Sequence, residues 1–144
     1  MRAILSIGAL IVLADQATKC LAVHFLKPLE QISIIPGIFQ LSYVENSGIA
    51  FGMFQNYPSA WSVIISLSVL FLLFGITFFR DQPLSRRIAY GFILGGAVGN
   101  WIDRISLHYV IDFLDFRIWP VFNVADSFIT IGVVLFFWFA IRGQ

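Results

Sequence analysis

Residues 88–126 read IAYGFILGGAVGNWIDRISLHYVIDFLDFRIWPVFNVAD, and this stretch decides how the rest of the chain is to be understood. An apolar run with glycines at 91, 95 and 99 leads into NWIDR at 100–104. VIDF follows at 110–113, and FNVAD at 122–126 opens the next apolar run. Small residues four apart form one stripe on a helix and let a second helix approach closely, the packing mode that works in lipid. Asp103 continues that stripe one turn later, while Asn100 and Arg104 occupy the neighbouring one. At about 1.5 Å per residue, positions 100–104 lie roughly 18–24 Å along the helix from Ile88, near its far end. Acidic and amide groups beside long apolar runs are costly, so their gathering here marks a site.

Working outward, the remainder of the chain is mostly apolar. Of 144 residues, 59% are hydrophobic and only 12% charged, about half the charged fraction of a soluble domain. Mean hydropathy is +0.88. The expected fold is an all-α integral membrane protein with four transmembrane helices, at about 3–26, 60–79, 88–107 and 122–141. The first ends before Pro28, which cannot continue a helix. A small β-rich extracytoplasmic platform is expected between the first and second helices, at about 27–59. Pro36-Gly37 is a turn signal, and Phe39, Leu41 and Tyr43 alternate with Gln40, Ser42 and Val44 as in a strand. Asn46-Ser47-Gly48 closes that strand in a turn, and the apolar residues 49–54 are expected to dip into the membrane interface. The whole length, 1–144, reads as a single domain.

Orientation follows from the basic residues. Arg2, Arg80, Arg86, Arg87 and Arg142 fall on one side, so both termini are expected in the cytoplasm. Lys27, Arg104 and Arg117 fall on the opposite side, offset there by Glu30, Glu45, Asp103, Asp112, Asp115 and Asp126. Arg2 and the apolar residues after it also have the form of a secretory signal. However, Asp15, Gln16 and Lys19 stand where small residues should precede a cleavage point, so a retained helix is expected. A net charge of +1 points to no nucleic-acid partner, and Cys20, the only cysteine, allows no internal disulfide.

The polar groups divide into sets. Asp15 and Lys19 are one helical turn apart, either a self-neutralising pair or support for a site. Asp103 beside Arg104 has the form of a helix-end ion pair, whereas a buried Asn100 needs partners on both its carbonyl and its NH2. Asn123, Asp126, Ser127 and Thr130 share one helix face, with Asn123 at a capping position. Asp112 stands in the loop before them. Two carboxylates brought together there would hold one proton between them. The charged member can then take a proton from water while the neutral one donates to a carbonyl oxygen, so an amide is hydrolysed without metal or cofactor. His24 and His108 are isolated, and neither an HExxH nor a GxSxG motif is present. Intramembrane carboxylates also serve as proton relays in transporters, and a non-enzymatic assembly subunit would use the same groups as a structural network.

Five ordered motifs resemble those of lipoprotein signal peptidase, the bacterial type II signal peptidase family. They are DQATK at 15–19, NSGIAF at 46–51, GGAVGNWIDR at 95–104, VIDF at 110–113 and FNVADS at 122–127. Ile49 stands where a smaller residue is common. The resemblance implies an aspartic endopeptidase of the bacterial inner membrane that cleaves prolipoproteins just before a diacylglyceryl-modified cysteine. By motif match, Asp112 and Asp126 would be the catalytic pair. Asn46, Gly48, Asn100, Arg104 and Asn123 would bind substrate, and Asp15, Lys19 and Asp103 would support the site. The resemblance further implies no metal and no cofactor, prolipoproteins and membrane lipid as partners, action as a monomer, and sensitivity to the cyclic peptide globomycin.

Overall fold

The computed structural model describes residues 1–48 and 58–142. Among these residues there are four long helices and three short strands. Helix α1 spans Arg2–Leu21 and runs on through one π-helical turn, Ala22–Leu26. Strands β1 (Gln31–Ile35) and β2 (Phe39–Asn46) follow. Next come α2 (Pro58–Phe79), α3 (Leu84–Ser106), β3 (Val110–Asp115) and α4 (Val124–Ile141). The apolar residues 49–54 expected at the interface lie outside the described residues.

Two helical stretches, Arg2–Leu26 and Val124–Ile141, are long and apolar enough to cross a membrane. In α2 the described apolar stretch is Val63–Phe79. Helix α3 carries Arg86, Arg87, Asp103 and Arg104, so it is less apolar than the other three. Large apolar side chains point away from the protein: Leu10 and Leu13 on α1, Phe71 and Phe74 on α2, Phe137 and Trp138 on α4. An apolar exterior this extensive marks a protein built to meet lipid.

Glycine governs the close contacts. Gly91, Gly95 and Gly99 lie against Ile7, Gly8 and Asp15 of α1 in that order, so α1 and α3 run parallel. Gly96 meets Ala125 and Ile129, and Gly132 meets Ile93 and Ala89, so α4 packs antiparallel on the other side of α3. Helix α2 is tied to α3 by two hydrogen bonds, Tyr90 Oη to the Leu72 carbonyl at 2.5 Å and Trp101 Nε1 to Ser66 Oγ at 2.9 Å. Each donor would otherwise stay unsatisfied in an apolar setting, which favours these contacts.

Of these three glycines, Gly95 comes closest to the backbone of α1. A Cβ there would stand 2.8 Å from the Gly8 carbonyl oxygen and 2.9 Å from the Gly8 Cα. Both are backbone atoms, so the helices themselves would have to part. Gly95→Leu is expected to destabilise the protein by about 1–3 kcal/mol or more. A thermal melt in detergent measures this, and an unchanged Tm would show that the α1–α3 seam is not close-packed.

The sheet differs from the sequence expectation in one important respect. Its order is β1-β2-β3, antiparallel throughout, and the third strand comes from the α3–α4 connection rather than from the segment between α1 and α2. Asp112 therefore sits on a strand, not in a loop. The β1–β2 turn is built as the Pro-Gly pair predicts. The Ile38 N–H donates to the Ile35 carbonyl at 3.0 Å, and Gly37 takes φ +77°, a left-handed value that suits glycine. Strand β3 is buried from Val110 to Phe113. Ile111 and Phe113 pack on Ala22 and Leu26 of the π-helical turn, which leaves Val110 and Asp112 to face the other way.

Candidate active site

Three of the four helices and the sheet meet at a polar cluster. At its base is Lys19, only 2% exposed. Its ammonium contacts Asp15 Oδ2 at 2.8 Å, Asp103 Oδ2 at 2.8 Å and Asn100 Oδ1 at 3.0 Å. An ammonium has three N–H groups, and here each has an oxygen partner. Asp15 also accepts the Ala125 N–H at 2.9 Å, one of the free donors in the first turn of α4. Asp103 Oδ2 accepts the Ile111 N–H at 3.2 Å, which ties α3 to β3.

The Asp15–Lys19 pair is therefore not confined to one helix; it joins α1 to α3, α4 and β3. Nor is Asp103 the partner of its neighbour Arg104. It continues the glycine stripe that faces α1, so it meets Lys19. Arg104 is turned aside and donates from Nη2 to the Gly48 carbonyl at 3.1 Å, linking α3 to the end of β2. Gln16 has a larger role than the sequence reading gave it. Its Nε2 donates to Asp103 Oδ1 at 2.9 Å and to the Gly99 carbonyl at 3.2 Å. Its spacing of three from Lys19 was the available signal, since residues three apart share a helix face.

Above this base stand the two aspartates. Asp112, on β3, accepts from Asn46 Nδ2 at 2.8 Å and from Asn123 Nδ2 at 2.7 Å, one on each carboxyl oxygen. Asn46 and Asp112 share a sheet face because Val44 is paired with Asp112 and Asn46 with Val110. Asp126, in the first turn of α4, accepts from Asn100 Nδ2 at 2.7 Å. It also completes a capping box with Asn123: the Asp126 N–H donates to Asn123 Oδ1 at 2.9 Å, and the Asn123 N–H to Asp126 Oδ2 at 3.3 Å. Asn123 is fully buried; it braces Asp112, Asn100 and the helix start at once, bonding Asn100 Oδ1 at 3.1 Å.

Both aspartates open into one cavity of about 300 Å³, lined also by Asn46, Asn100, Arg104 and the loop residues Trp119, Pro120, Val121 and Phe122. A second, more apolar groove of about 530 Å³ shares Asp126, Trp119 and Phe122 with the first and continues along Thr130 and Ile131. Burial pushes the Asp112 carboxyl up to about 7 from an ordinary 3.8, opposed by the Asn46 and Asn123 donors and reinforced by the Asp126 charge. At neutral pH this group is therefore close to half-protonated. The arrangement supplies a carboxyl pair, amide donors and a cation around a space that opens onto an apolar surface.

Two solved structures share this architecture, both described as bacterial membrane enzymes. One superposes with a TM-score of 0.85 at 28% identity, covering 99% of this chain and 89% of that one. The other gives 0.84 at 28% identity over 100% and 96%. The fold and the polar site define a membrane enzyme. Sequence comparison gives the particular kind. The model of the signal peptidase II family matches residues 7–142. The lipoprotein signal peptidase of Caldanaerobacter subterraneus subsp. tengcongensis is 44% identical over 90% of this chain and 89% of its own. That of Thermodesulfovibrio yellowstonii is 47% identical over 88% and 86%. The chain belongs to the lipoprotein signal peptidase family, proteases that remove the signal peptide from prolipoproteins.

Proposed function

We propose that the protein is an intramembrane aspartic endopeptidase in which Asp112 and Asp126 activate a water molecule. It would cut a prolipoprotein on the N-terminal side of its diacylglyceryl-modified cysteine. The observation that carries this reading is the pair of carboxylates, on separate elements, that open into one cavity and are each held by a fixed amide donor. The ionised member takes a proton from water as the oxygen attacks the scissile carbonyl, and the neutral member protonates the carbonyl oxygen. Collapse of the resulting tetrahedral species breaks the C–N bond, and the proton taken from water passes to the leaving amine. No metal or cofactor is called for. Arg104, Asn46 and Asn100 line the space where the peptide carbonyls would lie, and the adjoining apolar groove offers continuity with lipid. Gly48, Asn123, Asp15, Lys19 and Asp103 would serve by holding these groups in place. Globomycin would compete for the same cavity.

Helices α1 and α3 run one way and α2 and α4 the other, an alternation that supports four membrane crossings. Arg2, Arg80, Arg86, Arg87 and Arg142 all stand at helix ends remote from the aspartates. The positive-inside rule then puts both termini in the cytoplasm and the site near the opposite face, the periplasmic one if the protein sits, as its family membership suggests, in a bacterial inner membrane.

Substrate class is tested by comparing a diacylglyceryl-modified precursor with its unlipidated form, using purified protein. Cleavage of the lipidated form alone is expected. Equal cleavage of both would remove the lipid from the account.

The pH dependence has a definite sign. The dyad works with one proton, and Asp112 titrates near 7, so kcat/KM should fall as pH rises through about 7. Stability follows the same group. Because its folded value lies above its unfolded one, the stabilisation it contributes is complete below about 4 and is lost as pH rises through about 7. The Tm of Asp112→Asn should therefore improve relative to wild type as pH rises from about 4 to about 7. Paired thermal melts measure the difference, and a Tm gap independent of pH would contradict the raised value.

A further inference from the structure

The buried cluster beneath the dyad does more than tie helices together. Asn100 has a carboxamide whose two ends differ in what they can face. Its Oδ1 receives Lys19 Nζ at 3.0 Å and Asn123 Nδ2 at 3.1 Å, and its Nδ2 faces Asp126 Oδ1 at 2.7 Å. An ammonium can only donate. If the amide were turned over, its NH2 would meet the ammonium and its oxygen would meet the carboxylate, so two contacts would become repulsive together.

We propose that Lys19 and Asn100 act as positioning residues for Asp126: the Lys19 ammonium locks the Asn100 amide so that its NH2 can only donate to that carboxylate. This rests on the dyad reading above. The ammonium is itself held in register by Asp15 and Asp103, so it cannot swing towards the aspartates and neutralise them directly. Beside its through-space attraction for both aspartates, its charge reaches Asp126 as an oriented neutral donor. Asn123 and Asn46 are locked in the same sense, each with Oδ1 on a backbone N–H, at 2.9 Å from Asp126 and 3.1 Å from Gly48. Of the three asparagines that hold the two aspartates, Asn100 is the one whose oxygen is fixed by a cation. The charged and titratable groups around Asp126 are Asp15 and Lys19 from α1, Asp103 and Arg104 from α3, and Asp112 from β3.

The test uses Asn100→Asp, a near-isosteric change, beside Asn100→Ala and Lys19→Met, with pH–rate profiles on a lipidated precursor. A carboxylate at 100 cannot donate to Asp126 until it is itself protonated. Asn100→Asp should therefore be slower than wild type by about 10²-fold at alkaline pH and recover towards the wild-type rate as pH falls. Asn100→Ala should lose activity without that relative recovery. Lys19→Met, if its Tm shows it folded, should have an altered pH profile because the amide is free to turn over. Equal, pH-independent losses in Asn100→Asp and Asn100→Ala would overturn the proposal, as would a folded Lys19→Met with the wild-type profile. If Lys19→Met does not fold, the comparison of the two Asn100 variants decides. Asp126→Asn in the same assay separates the two readings. If it is active, the dyad itself is wrong; if it is inactive while the Asn100→Asp loss is pH-independent, only the positioning role fails.

Discussion

Asp112→Asn and Asp126→Asn are each expected to lower cleavage of a lipidated precursor by about 10²–10⁴-fold or more, mainly in kcat. The two roles, taking a proton and giving one, are used only as the transition state forms, so substrate binding should change little. The surroundings give these variants further signatures. At position 112 both oxygens receive NH2 groups from Asn46 and Asn123, and neither of those amides can reverse because its oxygen is on a backbone N–H. An amide at 112 would put its own NH2 against one of them, at a cost of about 1–3 kcal/mol for the unsatisfied donor. At position 126 the change weakens the capping box of α4, about 1 kcal/mol. Both variants should fold, with modestly lowered Tm and a large loss of rate.

Lys19→Met should have the largest effect on stability. The side chain is buried, and its loss leaves Asp15 and Asp103 as two buried carboxylates without their shared cation. Removing one partner of a buried ion pair costs about 3–5 kcal/mol, because the charge left behind has no compensation. In a chain of this size that corresponds to a Tm lower by about 10 °C or more. Gln16 and the Ala125 and Ile111 N–H groups remain as donors to the carboxylates, so a lowered Tm rather than complete unfolding is expected. A Tm unchanged from wild type would mean that the ion triad contributes nothing net to the fold.

Much of this was legible from residue spacing. The stripe of Gly91, Gly95 and Gly99 called for a closely packed helix, and it lies against α1 through Gly8. Asp103, on the same stripe, then had to meet whatever polar groups α1 carries at that level. The pairing with Arg104 inferred from adjacency failed because neighbouring residues on a helix point about 100° apart. Strand β3 was hidden for a different reason. VIDFLD is short, interrupted by two aspartates and of mixed pattern, and it is a strand because β2 pairs with it across some seventy positions of sequence, as in Glu45 with Ile111. No local signal reports that pairing. The capping role of Asn123 was readable from its place before an apolar run, whereas its contacts with Asp112 and Asn100 depend on three elements converging.

If Asp112 and Asp126 share one proton, they work as one unit. The most direct measurement is the cleavage rate of a lipidated precursor by the Asp112→Asn/Asp126→Asn double variant beside both single variants, each shown by its melting curve to be folded. Groups that share one proton fail together, so the double variant should be no slower than the slower single one. Losses that multiply, or a single variant that keeps the wild-type rate, would contradict the account.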